Sequence, residues 1–261
     1  MVKPLKRLGQ NFLKDKNILR KIYEFINPQE GERIIEIGPG EGALTEFLIS
    51  SRAEVIAIEI DKRVIEHLQS SFPDIKIINQ DFLEVDLTQF HSSDLRIVGN
   101  IPYNITSPII FKLIENHNLI RDAIFMVQYE VAKRITAKKG SKDYGILSVL
   151  LSYFAETELC FKVSPNVFYP KPKVFSAVVK IKFKKNIDES LKKTFIQIVK
   201  AAFGNRRKTL KNSLSNSIFA QLNFSGCEVD LSLRAEQLDL SDFIKLAEFA
   251  RENFSDQINQ D

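Results

Sequence analysis

Tryptophan is absent from the 261 residues, and cysteine nearly so: Cys160 and Cys227 are the only two. They lie far apart and match no metal-ligand spacing. That excludes a disulfide scaffold and a cysteine zinc module, and leaves reduced, incidental thiols. The histidines are three, His67, His91 and His117, and form no ligand pattern, so no metal is expected. No apolar run approaches the ~20 residues that cross a bilayer. Lys3, Lys6 and Arg7 make the start of the chain basic, but no apolar stretch follows them as in a secretory signal. A cytoplasmic protein without a membrane partner is expected. Repeats and low-complexity tracts are missing too. What remains is ordinary, 44% hydrophobic and 27% charged, with a net charge of +4. The length suits one large domain plus a small one.

The most informative stretch is 33–42, Arg-Ile-Ile-Glu-Ile-Gly-Pro-Gly-Glu-Gly. Ile34, Ile35 and Ile37 read as a short buried strand. It breaks into Gly38, Gly40 and Gly42, and a helix is expected over 43–50. Glycines at such a strand end let the backbone turn sharply and admit a ligand where a Cβ would block it. Glu59 and Asp61 close the next apolar run, and an ionised carboxylate there can accept both hydroxyls of a ribose. Two readings fit these letters. Gly38-x-Gly40-x-x-Ala43 satisfies a dinucleotide fingerprint, with an acid about 20 residues on. Glu36-x-Gly38-x-Gly40-x-Gly42 equally opens an S-adenosylmethionine methyltransferase.

Further strands are expected at 55–60, 75–78, 95–98 and 123–127, with helices at 62–71, 107–115, 130–138 and 144–154. A helix capped by Asp15 or Asn17 precedes them, and 158–163 and 176–183 read as a closing strand pair. This alternation implies an α/β fold, a mostly parallel sheet with helices on both faces, whose ligands sit at the strands' carboxyl ends. Gly38, Glu59, Asp81 and Asn100 each follow a different strand. After 184–186 only helical periodicity remains. A domain of 1–185, opened by a basic flap at 1–14, and a small all-helical domain of 186–261 are expected. Nothing in the pattern demands an oligomer, and a monomer is expected.

Asn100-Ile101-Pro102-Tyr103 suits a planar amine. The Asn100 side-chain oxygen and the Ile101 carbonyl can accept the two N–H bonds of an exocyclic adenine amine, and Tyr103 can stack on the base. Asp81 can accept a cofactor adenine amine, with the Phe82 N–H on a ring nitrogen, or it can simply cap a turn. Phe168, held between prolines, can stack on the second face of a flipped-out base or belong to the core. Leu8-Gly9-Gln10-Asn11-Phe12-Leu13 reads as a packed tail or as a flap touching the ligand through Asn11 and Leu13. Basic residues cluster around Lys133 and Arg134 and again at Arg206, Arg207 and Lys208. Both clusters are candidates for contact with RNA phosphates.

Taken together, these motifs resemble the rRNA adenine N6,N6-dimethyltransferases, the KsgA/RsmA family, over nearly the whole chain. The N-terminal stretch, Glu36–Gly42, Asn100–Tyr103, Phe168–Val174 and Phe203–Leu210 fall in the family's order. The resemblance implies a Rossmann-like class I methyltransferase domain with a helical appendage. It implies transfer of four methyl groups from S-adenosylmethionine to two adjacent adenosines near the 3′ end of 16S rRNA in the assembling small subunit. It places the cofactor on Asn11, Leu13, Gly38, Glu59, Asp81 and Asn100. Asn11 stands where many relatives carry His, and Ile101 where Leu is common. The Erm enzymes of large-subunit rRNA share similar motifs. An assembly factor without turnover and a nicotinamide-dependent oxidoreductase are the remaining alternatives.

Overall fold

The computed structural model describes residues 2–205 and 207–258. Its strands are β1 (Phe12–Leu13), β2 (Arg33–Ile37), β3 (Glu54–Glu59), β4 (Lys76–Asn79), β5 (Leu95–Asn100), β6 (Ile120–Gln128), β7 (Ala155–Val163), β8 (Phe168–Tyr169) and β9 (Ser176–Phe183). Seven of them form one sheet in the order β4-β3-β2-β5-β6-β9-β7. The pairs from β4 to β6 are parallel, and β9 runs antiparallel to β6. Ile34, Ile35 and Ile37, like Ile56 and Ile58, are buried, as expected of parallel strands covered on both faces. The chain winds outward from β2 to β4, then crosses back to place β5 on the other side of β2. That reversal opens a crevice at the carboxyl ends of β2 and β5.

The helices around this sheet carry their own start signals. Asp15 caps α1 (Lys16–Ile26) by accepting from the N–H groups of Asn17 and Ile18, and Asp61 caps α3 (Lys62–Ser71) through the Arg63 N–H. α2 (Ala43–Ser50) starts from Gly42, α4 (Thr106–Glu115) follows β5, and α5 (Tyr129–Ile135) follows β6. At the amino ends of the strands, opposite the crevice, Arg96 is buried and forms a two-pronged pair with Asp122, at 2.9 Å on each arm. It also donates to Glu32 at 2.6 Å and to the Ile26 carbonyl, the last residue of α1, at 2.6 Å.

The chain divides into two compact units, Met1–Lys133 with Glu156–Lys184, and Arg134–Ala155 with Lys185–Asp261. The second unit is helical, with α6 (Ile146–Phe154), α7 (Glu189–Gly204), α8 (Leu210–Leu214) and α9 (Leu240–Ile258). A split at 185/186 alone would leave α6 with the sheet. Packing groups it with the later helices instead: Tyr153 stacks on Phe195 with ring centroids 4.2 Å apart, and the Tyr144 hydroxyl donates to the Leu238 carbonyl at 3.1 Å. α6 is apolar nearly all round, so periodicity does not mark which neighbour it faces.

Candidate active site

The crevice holds a cavity of about 220 Å³. Four strand ends and the N-terminal segment line it. The turn after β2 contributes Gly38 and Gly40, β3 Glu59, the loop after β4 Asp81 and Phe82, and β5 with the turn after it Asn100 to Ile105. Residues 7–12 lie across it. A smaller cavity of about 60 Å³ shares Phe12, Gly38, Gly40 and Asn100 with the first, and adds Leu13 and Glu36.

Both glycines of the turn after β2 have a left-handed backbone that side chains disfavour, and at Gly40 a side chain also lacks room. Gly40 sits at φ +58°, and a Cβ there would lie 2.9 Å from the Phe12 ring. Gly38 has φ +61°. Glu59 is buried, and one of its oxygens accepts the N–H groups of both Ile60 (2.9 Å) and Asp61 (2.8 Å). Burial raises its pKa, against these amides and the Gly40 backbone, which favour the ionised form. Asp81 does cap the turn after β4, with Oδ1 accepting from Leu83 N–H at 2.9 Å, and it also lines the cavity.

The N-terminal segment is tied down along its length. Gln10 donates to Asp61 at 3.0 Å, and its own side-chain oxygen accepts from Leu5 N–H at 2.8 Å. Lys14 pairs with Glu41. β1 pairs antiparallel with β8, Phe12 opposite Tyr169 and Leu13 opposite Phe168. Asn100 Nδ2 donates to the Asn11 carbonyl at 2.8 Å.

That donation orients the amide. With Nδ2 committed, Oδ1 is left as an acceptor, and no buried side-chain polar atom among the described residues lacks a partner, so Oδ1 stays accessible. The Ile101 N–H is held by the Met126 carbonyl at 3.0 Å. The Tyr103 hydroxyl shares a 2.7 Å hydrogen bond with Ser176, a fully buried residue at the start of β9. Sequence reading missed Ser176, because a serine opening an apolar strand carries no signal until the strand is placed beside Asn100–Tyr103.

Asn11, Gly38, Gly40, Glu59, Asp81, Phe82, Asn100, Ile101 and Tyr103 therefore meet around one cavity, and Leu13 lines its smaller neighbour. Phe168 is not brought to either. It is buried in the same core cluster as Leu13. Alternation along β8 turns Phe168 inward and Tyr169 outward. Lys133 and Arg134 lie on α5, and Arg207 and Lys208 are exposed beyond α7. Arg206 lies outside the described residues.

The model of the ribosomal RNA adenine dimethylase family matches residues 2–252. The chain belongs to this family. A ribosomal RNA small subunit methyltransferase A of Francisella tularensis subsp. novicida is 45% identical over 256 residues, covering 95% of this chain and 97% of its own. A dimethyladenosine transferase structure from Plasmodium falciparum is similar with a TM-score of 0.79 at 26% identity, over 93% of this chain and 98% of that one. The structure of the 23S rRNA methyltransferase ErmE gives 0.67 at 27% identity, over 92% and 99%. As a ribosomal RNA adenine dimethylase, the chain is an adenine methyltransferase on the class I fold that uses S-adenosylmethionine. The lining suits that molecule, with the carboxylates of Glu59 and Asp81 to accept from hydroxyl and amine groups and the side-chain-free Gly38 and Gly40 beside them.

In this dimethylase, Glu36 is a buried carboxyl with a pH consequence. Burial, reinforced by the charge of Glu59 and opposed by a 2.6 Å hydrogen bond from Thr45, pushes its pKa from about 4.5 up to about 7. A carboxyl with a raised pKa stabilises the fold most while protonated. Its contribution is complete below pH 4.5 and is lost as pH rises through 7. Glu36→Gln removes this titration. Without cofactor, the variant should gain about 3 kcal/mol on wild type between pH 4.5 and pH 8. Any fixed cost of the amide cancels in that difference. Parallel urea titrations of the two proteins would sink the assignment.

Proposed function

We propose that the chain dimethylates N6 of two adjacent adenosines near the 3′ end of 16S rRNA while the small subunit assembles. The observation that carries the chemistry is the committed Asn100 amide. Its oxygen and the Ile101 carbonyl accept the two N–H bonds of the target amine and direct the nitrogen lone pair. Pro102 brings no competing donor, and Tyr103 offers its ring to the base. Glu59 holds the ribose of the cofactor, and Asp81 with the Phe82 N–H holds its adenine. Asn11 and Leu13 close over it. S-adenosylmethionine, when bound, supplies a methyl group already activated as a sulfonium, so positioning is the protein's main contribution. Lys133, Arg134, Arg206, Arg207 and Lys208 are the proposed phosphate contacts. The choice of small over large subunit is supported by the 45% identical relative's name.

The reading makes Ser176 and Tyr103 act as a pair. Tyr103→Phe and Ser176→Ala should each lower kcat about 3- to 10-fold with cofactor affinity unchanged. The double variant should be no slower than either alone, because both remove one hydrogen bond. Multiplicative losses would mean that the two residues act separately.

Labelled S-adenosylmethionine, added to purified unmethylated small and large ribosomal particles, tests the target. N6,N6-dimethyladenosine recovered from the small particle alone is expected. Label in large-subunit RNA would transfer the chain to the Erm reading, and cofactor binding without transfer to either particle would favour an assembly role.

A further inference from the structure

Between Glu158 and Asp188 the chain carries seven lysines and no acidic residue. Six large apolar side chains are markedly exposed among the described residues, and three of them, Tyr169, Val174 and Phe175, fall in this same stretch. Scattered apolar residues need no explanation, but a cluster rimmed by one sign of charge does. Phe175 is 46% exposed. Lys162 Nζ lies 4.0 Å from its ring centroid and 4.6 Å from that of Tyr129, so a cation sits between two aromatic rings. Beside them is a concavity of about 540 Å³ whose rim carries Lys171, Lys173 and Asn166 together with Phe175.

This surface is tied to the walls of the active-site cavity at both ends. Phe168 and Tyr169 pair with Leu13 and Phe12. At the other end the Phe175 carbonyl accepts the Tyr129 N–H at 2.9 Å, and the next residue, Ser176, holds the Tyr103 hydroxyl. A chain lying on residues 169–175 is thus beside the pocket that takes the target adenine.

Exposed aromatics interleaved with lysines, with no carboxylate among them, match one class of ligand: a single strand of nucleic acid, whose bases stack and whose phosphates pair with cations. We propose that Phe175, supported by Lys162 and Tyr129, is a stacking platform for an unpaired nucleotide flanking the target adenosine, with Lys171 and Lys173 on the adjoining phosphates. The proposal rests on the rRNA reading above and adds a second base-binding position to it.

The test uses the full chain and a single-stranded oligoribonucleotide carrying 2-aminopurine next to the target adenosine. Stacking quenches that fluorophore without any need for turnover. Phe175→Ala should lose the quench and weaken oligonucleotide binding about tenfold, with S-adenosylmethionine affinity unchanged. Phe175→Trp should retain both. Lys171→Glu with Lys173→Glu should keep the quench at low salt and lower the log–log salt slope of binding by about 1.4, since each single-strand phosphate contact contributes ~0.7. Wild-type quench and affinity in Phe175→Ala, or an unchanged slope in the double lysine variant, would overturn the proposal. Wild-type protein that quenches the probe yet methylates neither ribosomal particle would uphold the platform and remove only the target assignment.

Discussion

Asn100→Ala is expected to slow methyl transfer by about 10²–10³-fold while S-adenosylmethionine affinity stays within about tenfold. The asymmetry follows from what the amide does in the structure. Its Nδ2 donates to the Asn11 carbonyl, which leaves the oxygen as the proposed acceptor for the amine to be methylated. Alanine removes that acceptor at the moment when the amine must give up its conjugation with the ring, so the loss falls on kcat. The proposed cofactor contacts, Glu59, Asp81 and the glycine turn, do not depend on Asn100. The modest cofactor penalty that is expected comes from loosening residues 7–12, which Asn100 helps to hold across the cavity. Isothermal titration and single-turnover transfer separate the two effects. Transfer near the wild-type rate would refute the amine-positioning account, and loss of cofactor binding in step with activity would make Asn100 a part of the cofactor's wall only.

The largest loss of stability is expected at the amino ends of the strands, opposite the crevice. Arg96→Met should cost about 3–5 kcal/mol, read as a fall in the urea midpoint. Arg96 is 4% exposed, and its guanidinium makes five hydrogen bonds, to Asp122 twice, to Glu32, and to the carbonyls of Ile26 and Asn27. Methionine fills much of the volume but leaves the Asp122 carboxylate buried without its partner. It also leaves the end of α1 without a donor for its last carbonyls. Adding Asp122→Leu to Arg96→Met should recover most of the loss, since removing both charges leaves neither stranded. A single-variant loss below about 1 kcal/mol would class this pair with ordinary surface ion pairs. Active-site chemistry should be unaffected below the transition, because the network and the cavity lie at opposite ends of the strands.

Much of this was legible in the sequence because parallel strands announce themselves. Runs such as Ile34–Ile37 and Val55–Ile58 are short, apolar and bounded by glycine or acid, so their ends could be placed to within a residue or so. The candidate site residues then fell on consecutive strand ends. Three features were not legible, each for a physical reason. β1 and β8 are two residues long, too short for any period to register, and their pairing joins positions far apart in sequence. Phe168 looked available to a ligand because prolines surround it, yet that pairing turns it into the core. Ser176 has no distinguishing neighbour in the sequence, and only its distance to Tyr103 gives it meaning.

The ribbon of β1 and β8 also has a consequence for the order in which the protein can be made. Phe12 leaves the ribosome well before its partner Tyr169, which is synthesised 157 positions later. Until then the segment that closes over the cavity has glycines and Asn100 to touch but no strand to pair with. A nascent chain halted before residue 168 should therefore hold a sheet edge and an open crevice, and bind cofactor weakly. Residues 12 and 13 gain their partner strand only once residues 168 and 169 have been made, so competence for the cofactor trails the synthesis of the glycine turn and Asn100.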